Sequence, residues 1–529
     1  MRKIILFSLL LLSFGFSWDK NGTPLVYDPG DQELIDVKLV NGRKIAILYW
    51  DRVKLNTFLQ MVDLSGSVIF SEPVQVTQTL GAGNEMGIDK DGNIWVVLTK
   101  AGDKDVDVWV QKIEGGSGER LFGEEGKVVC SADGNQRYPR LALSPDGGCW
   151  VVWQDYREEG TYFPDIYCAY VSSSGEVRWE KKIKEQCSPI GIIPSNEGSA
   201  ILLGGRWVWK IDSTGNFRWD SSGVEIEGMW YPIDIISDGE HGVITLYEDE
   251  NYCLRVQKVN ASGEICWDSG GVLLQSWGNI SLQIIQDDKR FGISTDYNKG
   301  CLVSSYRHSS PEDHWVYHVD SSGVNLWEGG VKVWESSEYD ATGYNLYSDV
   351  TYDYGGGGVL TWDDKSDSSL GDIWAGRVNA LGEVVWVKEV CKAWDDQINP
   401  RIISVDTNKF LIYWEDYRDG DCDIYASLVD SLGNVLGMKE VCMDLFYPEF
   451  EIRLLNKGVL IKYCIEGGNR VKISVYDILG RRRKEVLNRW MGKGVHKVEV
   501  DFGELSSGVY FVSLKVGQKV ITKKITWIK

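Results

Sequence analysis

Apolar residues fall in short runs that turns cut off. Leu141 to Leu143 stops at Asp146-Gly147-Gly148, and a second run, Cys149 to Trp153, follows at once. A polar loop leads to Asp165 to Val171. A Ser-Gly turn then leads to Glu176 to Trp179. Runs of this length, rich in Val, Ile, Trp and Tyr and bounded by turn residues, predict strands. No window combines helical periodicity with caps.

The pattern recurs along the chain. A turn followed by a bulky residue appears as Ser65-Gly66 to Phe70, Ser117-Gly118 to Phe122, Ser174-Gly175 to Trp179 and Thr214-Gly215 to Trp219. It continues as Ser262-Gly263 to Trp267, Ser322-Gly323 to Trp327, Leu381-Gly382 to Trp386 and Leu432-Gly433 to Leu436, eight copies in all. Trp219-Asp220-Ser221-Ser222-Gly223 and Trp267-Asp268-Ser269-Gly270-Gly271 extend it, and Trp18-Asp19-Lys20-Asn21-Gly22 has the same form. Units therefore begin near 18, 70, 122, 179, 219, 267, 327 and 386, and the last closes near 443. Four strands per unit of about 53 residues fit propeller blades, whose radial stacking hides sheet faces and edges. The fold class is all-β. It reads as an eight-bladed β-propeller over residues 18–444, with a seven-bladed ring carrying one divergent unit as the alternative. A β-solenoid fits less well, because its units are usually shorter.

Composition agrees with this reading. Gly numbers 58, Trp 23 and Tyr 25 against only 12 Pro, as tight turns between aromatic-rich strands require. At the start, Arg2 and Lys3 precede an uncharged run from Ile4 to Phe16, with Gly15 and Ser17 as the small residues before the cleavage point. Residues 1–17 read as a signal peptide, with the mature chain beginning at Trp18. No later run is long enough for a transmembrane helix.

The 11 cysteines include no Cys-x-x-Cys pair, which argues against a zinc or redox site. Most read as small buried hydrophobes, with a disulfide or two compatible with export.

Net charge is −21, with 56 Lys and Arg against 77 Asp and Glu. Residues 445–529 hold 17 basic and 8 acidic residues, or +9, which leaves 39 against 69, or −30, for the rest. A body this acidic repels nucleic acid and anionic lipid. The change of sign marks a boundary near residue 444.

Three units share a loop signature. Trp153-Gln154-Asp155-Tyr156-Arg157 precedes Asp165, Trp362-Asp363-Asp364-Lys365 precedes Asp372, and Trp414-Glu415-Asp416-Tyr417-Arg418 precedes Asp423. On one reading, Asp155, Asp363 and Asp416 close the second strand, and Asp165, Asp372 and Asp423 open the third. Their carboxylates then accept loop N–H groups and pair with Arg157 or Arg418. Repetition over several blades favours this structural role. On the other reading the loops bind Ca²⁺ or a polar ligand. Asp416, Asp419, Asp421 and Asp423 are dense enough to ligate Ca²⁺, although their spacing is not that of an EF-hand.

Other candidates are sparser. Ser144, Asp146, Gly148 and Trp150 resemble the Asp-box turn of sialidase-like propellers, with the Trp one position early. Asp89, Asp91, Gly92, Asn93 and Trp95 form a further blade turn. His308, Asp313, His314 and His318 are the one histidine cluster, placed by Pro311 in an exposed loop with metal-binding potential. No Gly-x-Ser-x-Gly elbow, His-Glu-x-x-His or phosphate-binding loop occurs.

Beyond residue 445 the period breaks. Val471, Ile473 and Val475 alternate with Lys472, Ser474 and Tyr476. Asp477-Ile478-Leu479-Gly480 then forms a turn before Arg481-Arg482-Arg483-Lys484. About seven short strands fit a small immunoglobulin-like sandwich. Tyr476, Asp477, Gly480 and Arg481, then Gly508 and Tyr510, then Lys523 and Lys524 in the terminal strand, resemble the type A C-terminal sorting domain of type IX secretion cargo. That resemblance implies export across inner and outer membranes, recognition by the type IX machinery, and a cell-surface or extracellular location. A related immunoglobulin-like domain of flagellar hook-cap proteins shares the Tyr-Asp-x-x-Gly-Arg strand. It has Trp-Asp-Gly where this chain has Val500-Asp501-Phe502-Gly503, which favours the sorting reading.

Two functions follow for the body. One is a non-catalytic propeller that binds surface polysaccharide or a protein ligand, with Trp207 and Trp209 available to stack on sugars. The other is a secreted hydrolase or lyase acting on a polymer, which needs carboxylates converging on the central channel. No cofactor is required by either, Ca²⁺ being the one candidate ion.

Overall fold

The computed structural model describes residues 18, 21–102, 105–158, 163–195, 198–276, 291–307, 313–335, 347–364, 371–393, 395–436, 450–455, 458–465, 469–478, 480–491, 494–503, 505–516 and 519–527. The expected signal peptide and the expected boundary at 444 lie outside them. The chain divides into two compact units, Met1–Val435 and Leu436–Lys529.

Among the described residues the first unit holds eight four-stranded antiparallel sheets. Blades 1 to 7 span residues 32–75, 81–130, 136–184, 189–225, 229–275, 291–335 and 348–391. Blade 8 joins Gln397–Asp406, Lys409–Asp416 and Asp423–Asp430 to Thr23–Val26 from the start of the chain. In blades 1 to 7 the first strand packs against the first strand of the next blade, and at the closure the first strand of blade 1 packs against the second and third strands of blade 8, so the first strands surround the axis. The second strands are the driest, and Trp150, Val151, Val152 and Trp153 are fully buried. Their near-continuous apolar sequence reflects burial on both faces.

The repeat has a physical explanation. The aromatic that follows each Ser-Gly-type turn grips the equivalent turn of the next blade. Trp179 Nε1 donates to Ser213 O at 2.8 Å, Trp219 to Ala261 O at 2.9 Å, and Trp267 to Ser321 O at 3.3 Å. Trp327 and Trp386 reach Ala380 O and Ser431 O, at 3.3 and 3.0 Å. The turn glycine lies beneath the ring. At Gly323, where φ is +86°, an added Cβ would sit 2.6 Å from Trp267 Cδ1, so both the backbone and the close approach require glycine. Phe70 and Phe122 take the aromatic position in blades 1 and 2 and pack beside Gly118 and Gly175.

The last of these contacts closes the ring. Trp18 is buried and its Nε1 donates to Leu64 O, in the turn of blade 1, at 2.9 Å. Trp18 and Thr23–Val26 therefore supply the outer edge of blade 8, the place that Leu436 holds in the sequence repeat. Units counted from aromatic to aromatic are thus out of phase with the sheets by one strand. Each contains the outer strand of one blade and the inner three of the next. The number of units and the number of sheets agree at eight.

Among the described residues the second unit has seven strands in two sheets, one of three strands and one of four. Val459 and Ile461 from the smaller sheet share a core with Val471, Ile473, Val475, Val512 and Leu514 from the larger. The alternation expected for 471–476 holds, with Val471, Ile473 and Val475 buried.

Candidate functional site

The Trp-x-Asp-x-Arg loops are clamps. Asp155 is buried and accepts Trp153 Nε1 at 2.7 Å, Arg157 N at 2.9 Å and Arg157 Nε at 2.8 Å. Asp416 accepts Trp414 Nε1 at 2.8 Å, Arg418 N at 3.1 Å and Arg418 Nε at 2.8 Å. Both guanidiniums lie over a tyrosine of the third strand, Arg157 on Tyr167 at 3.9 Å and Arg418 on Tyr425 at 4.1 Å. Their outer nitrogens reach Cys130 Sγ and Cys391 Sγ at 3.1 and 3.2 Å. Asp155 and Asp416 are thereby engaged by their own loops. In blade 7 the strand register pairs Asp364, not Asp363, with Asp372. The candidate Asp363 is therefore one residue out of phase with Asp155 and Asp416, and its Oδ1 accepts Tyr347 N at 2.7 Å.

The third-strand carboxylates differ in their partners. Asp165 accepts Gln186 N at 2.9 Å and pairs with Lys182 at 3.4 Å. Asp372 pairs with Lys392 at 3.3 Å. Asp421 accepts Gly30 N at 2.7 Å, which ties blade 8 to the segment that follows its closing strand, and Asp419 accepts the Tyr425 hydroxyl at 3.3 Å. Asp423 is buried, and its Oδ1 has no hydrogen-bond partner. Burial, then Asp421, Asp419, Asp416 and Asp28, push its carboxyl up to about 8. Among the described residues no group of three His, Cys, Asp or Glu side chains is arranged to hold a metal ion. Asp416 faces the Arg418 guanidinium and the Trp414 indole N–H.

A raised carboxyl pKa opposes stability at high pH. Unfolded, Asp423 ionises near its ordinary value of 3.8, whereas folded it holds its proton to about 8. Stability is therefore lost as pH rises between those values and does not return above them. Asp423→Asn cannot ionise. It is expected to be more stable than the parent at pH 8 by about 1–3 kcal/mol, with the difference shrinking toward pH 4. Paired denaturant titrations at the two pH values measure this, and a variant less stable at pH 8 would contradict it.

Among the described residues the histidines belong to no metal-holding group. His314 and His318 lie on the strand Asp313–Val319 and are buried, not on an exposed loop. His314 stacks on Trp362 at 5.1 Å, and burial lowers its pKa to about 3. His318 Nε2 bonds Asp296 at 3.1 Å. His308 lies outside the described residues. Trp209 is fully buried and Trp207 half-buried beneath Lys184, so neither offers an open face to a sugar. The nine described cysteines are all free thiols, seven of them buried.

Sequence reasoning missed the inner-strand charges. Opposite equivalent positions of the second strands stand Asp36, Glu85, Arg140, Asp234, Asp349 and Arg401. Three of the six hold the next blade. Asp36 accepts Met86 N at 3.2 Å, Glu85 accepts Leu141 N at 2.8 Å, and Asp349 accepts Ile402 N at 3.0 Å. Glu415 accepts Leu34 N at 3.0 Å across the closure. Burial raises the pKa of Glu85, with Arg140 opposing it. Lys38 is held above its ordinary value chiefly by Asp36, with Glu85 and Asp234 adding to it. The signal was faint, because each charge is a lone residue on the first strand of its blade, and all but Asp349 follow a shift in strand register.

In the second unit, Asp477 organises the hairpin. It accepts Arg481 N at 3.0 Å, Arg481 Nε at 2.8 Å and Arg483 Nε at 2.8 Å, while Gly480 turns the chain at a φ of 75°. Asp477 lies opposite Tyr510, whose hydroxyl donates to Ser506 O at 2.8 Å. Gly508 opens that strand, Tyr476 pairs with Phe511, and the exposed Lys523 and Lys524 pair with Val512 and Phe511. Ile478 and Trp490 are exposed on the same sheet and its turn. Residues 455–529 match the family described as the secretion system C-terminal sorting domain. They are a type IX sorting domain. The sorting domain engages the type IX secretion machinery and directs the protein to the cell surface or the extracellular space.

No curated protein matches the chain. Among solved structures it is similar to a polysaccharide lyase described as PL25-Ulvanlyase. Identity is 10%, coverage is 81% of this chain and 98% of that one, and the TM-score is 0.42. A protein of unknown function from Bacteroides caccae is 14% identical over 57% of this chain and 94% of that one, with a TM-score of 0.28. One from Dyadobacter fermentans is 10% identical over 78% and 96%, with a TM-score of 0.31. These likenesses assign neither a substrate nor a reaction. Among the described residues no helix is long and apolar enough to cross a membrane.

Proposed function

We propose that the exported propeller is a non-catalytic module that binds polysaccharide or a protein ligand outside the cell. One observation carries this reading. The rim carboxylates Asp155 and Asp416 and the inner-strand carboxylates Asp36, Glu85 and Asp349 already accept protein N–H groups. A carboxylate engaged in this way is a staple, whereas general acid–base work needs one that faces a reacting atom. The second reading, a secreted hydrolase or lyase, has Glu85 in its favour. Its carboxyl is held above the usual range by burial, beside Arg140 on an inner strand.

The test is a screen of the purified full chain against immobilised surface polymers and glycans, with and without Ca²⁺. New reducing ends and unsaturated products are assayed in parallel. Retention without product release is expected. Product release that disappears in Glu85→Gln would establish the enzyme instead.

A further inference from the structure

The turns that join the first two strands of blades 5, 6 and 7 share one backbone. Each opens with a buried aspartate, Asp238, Asp296 or Asp353, whose Oδ1 accepts two N–H groups of the turn. In each, the residue after the aspartate and the residue two further on have positive φ. These are Gly239 at 78° and His241 at 75° in blade 5, and Tyr297 at 55° and Lys299 at 73° in blade 6. In blade 7 they are Tyr354 at 57° and Gly356 at 91°. A left-handed backbone costs a residue with a Cβ about 1 kcal/mol and costs glycine almost nothing. Blade 5 uses glycine after its aspartate. Blades 6 and 7 carry tyrosine at that same position, against the backbone preference.

Neither tyrosine is buried. Tyr297 is 64% exposed and Tyr354 43%. Their rings nevertheless stack on each other across the blade boundary, with centroids 5.5 Å apart and planes 18° from parallel. Tyr352, a buried residue of blade 7, supports Tyr297 from 5.8 Å. Exposed Asn298 and Lys299 flank the pair, and Lys299 Nζ is held 2.6 Å from Glu240. Gly355 to Gly357 follow Tyr354 and add no side chain to cover it. Strain retained at an exposed position points to use rather than to stability.

We propose that Tyr297 and Tyr354 form a stacking platform for the pyranose rings of a neutral polysaccharide. A pyranose presents a C–H face that packs on an aromatic ring, and its hydroxyls at the ring edge suit the amide, ammonium and carboxylate of Asn298, Lys299 and Glu240. A neutral polymer is specified because the chain outside residues 445–529 carries 69 acidic against 39 basic residues and repels a polyanion. This site rests on the ligand-binding reading above and deepens it.

The experiment compares the full chain with the double variant Tyr297→Gly, Tyr354→Gly. Affinity electrophoresis in gels containing glucan, mannan, galactan or soluble chitin derivatives gives the affinities, and thermal melts report on the fold. The double variant is expected to lose at least tenfold in affinity while its Tm stays level or rises, because glycine relieves the backbone. Tyr297→Phe, Tyr354→Phe is expected to retain most of the binding. Wild-type affinity in the glycine variant would overturn the platform while leaving binding elsewhere intact. Failure of the parent protein to bind any of these neutral polymers would overturn the platform too. The broader binding reading would then rest on the polymer and protein screen alone.

Discussion

Removal of residues 455–529 is expected to abolish export, leaving the propeller inside the cell envelope with none at the surface or in the medium. The sorting domain has its own core, built from Val471, Ile473, Val475, Val512, Leu514 and Phe502, and the propeller sheets have theirs. A folded but retained protein is therefore the anticipated phenotype. Cell fractionation and protease accessibility on intact cells measure it. Asp477→Ala should reduce export in the full-length chain, because one carboxylate holds both Arg481 and Arg483 in the hairpin. Truncated protein recovered outside the cell at parental levels would refute the assignment of transport to this segment.

Trp18→Ala is expected to destabilise the propeller by about 3–5 kcal/mol, the usual result of truncating a buried tryptophan. The indole fills the junction of the last blade with the first, and its N–H reaches Leu64 O. Seven other aromatics make the remaining blade-to-blade contacts, whereas Trp18 sits on the segment whose strand, Thr23–Val26, must find Asp423–Asp430 at the far end of the propeller sequence. Arg418 and Asn21, hydrogen-bonded beside it, are 397 residues apart. Trp490→Ala is the control. That side chain is 70% exposed, and its loss should change stability by less than about 0.5 kcal/mol. Denaturant unfolding followed by tryptophan fluorescence separates the two, and equal midpoints would remove Trp18 from the closure.

Much of the architecture was legible in the sequence because two unrelated demands left marks at fixed spacing. Tight turns called for Gly66, Gly118 and their counterparts, and close packing called for the aromatic behind each. The partner of each aromatic was not legible. Trp267 and Gly323 are far apart in the chain, and nothing local says that one lies on the other. For the same reason the phase of the blades was hidden, since a strand lent by the chain's beginning looks like the opening of a first repeat.

The candidate site was read less completely. The structural role of Asp155 and Asp416 could be read from Arg157 and Arg418 close by. The isolation of Asp423 depends on burial, which sequence does not report. The inner-strand acids were missed because Asp36, Glu85 and Asp349 find their partners in the following blade. Asp296-Tyr297 and Asp353-Tyr354 are visible as matching dipeptides, but their left-handed backbone and exposure appear only in three dimensions.

Each blade reaches forward with an indole or phenyl ring and offers a glycine turn to the blade behind it. Every joint is therefore the same one-way coupling. A gene duplication that inserted one whole unit would leave all couplings complete, with a single new one of familiar design. Growth or shrinkage of such a ring by a unit at a time is then limited by the curvature that the blades can share rather than by any need to invent a new contact.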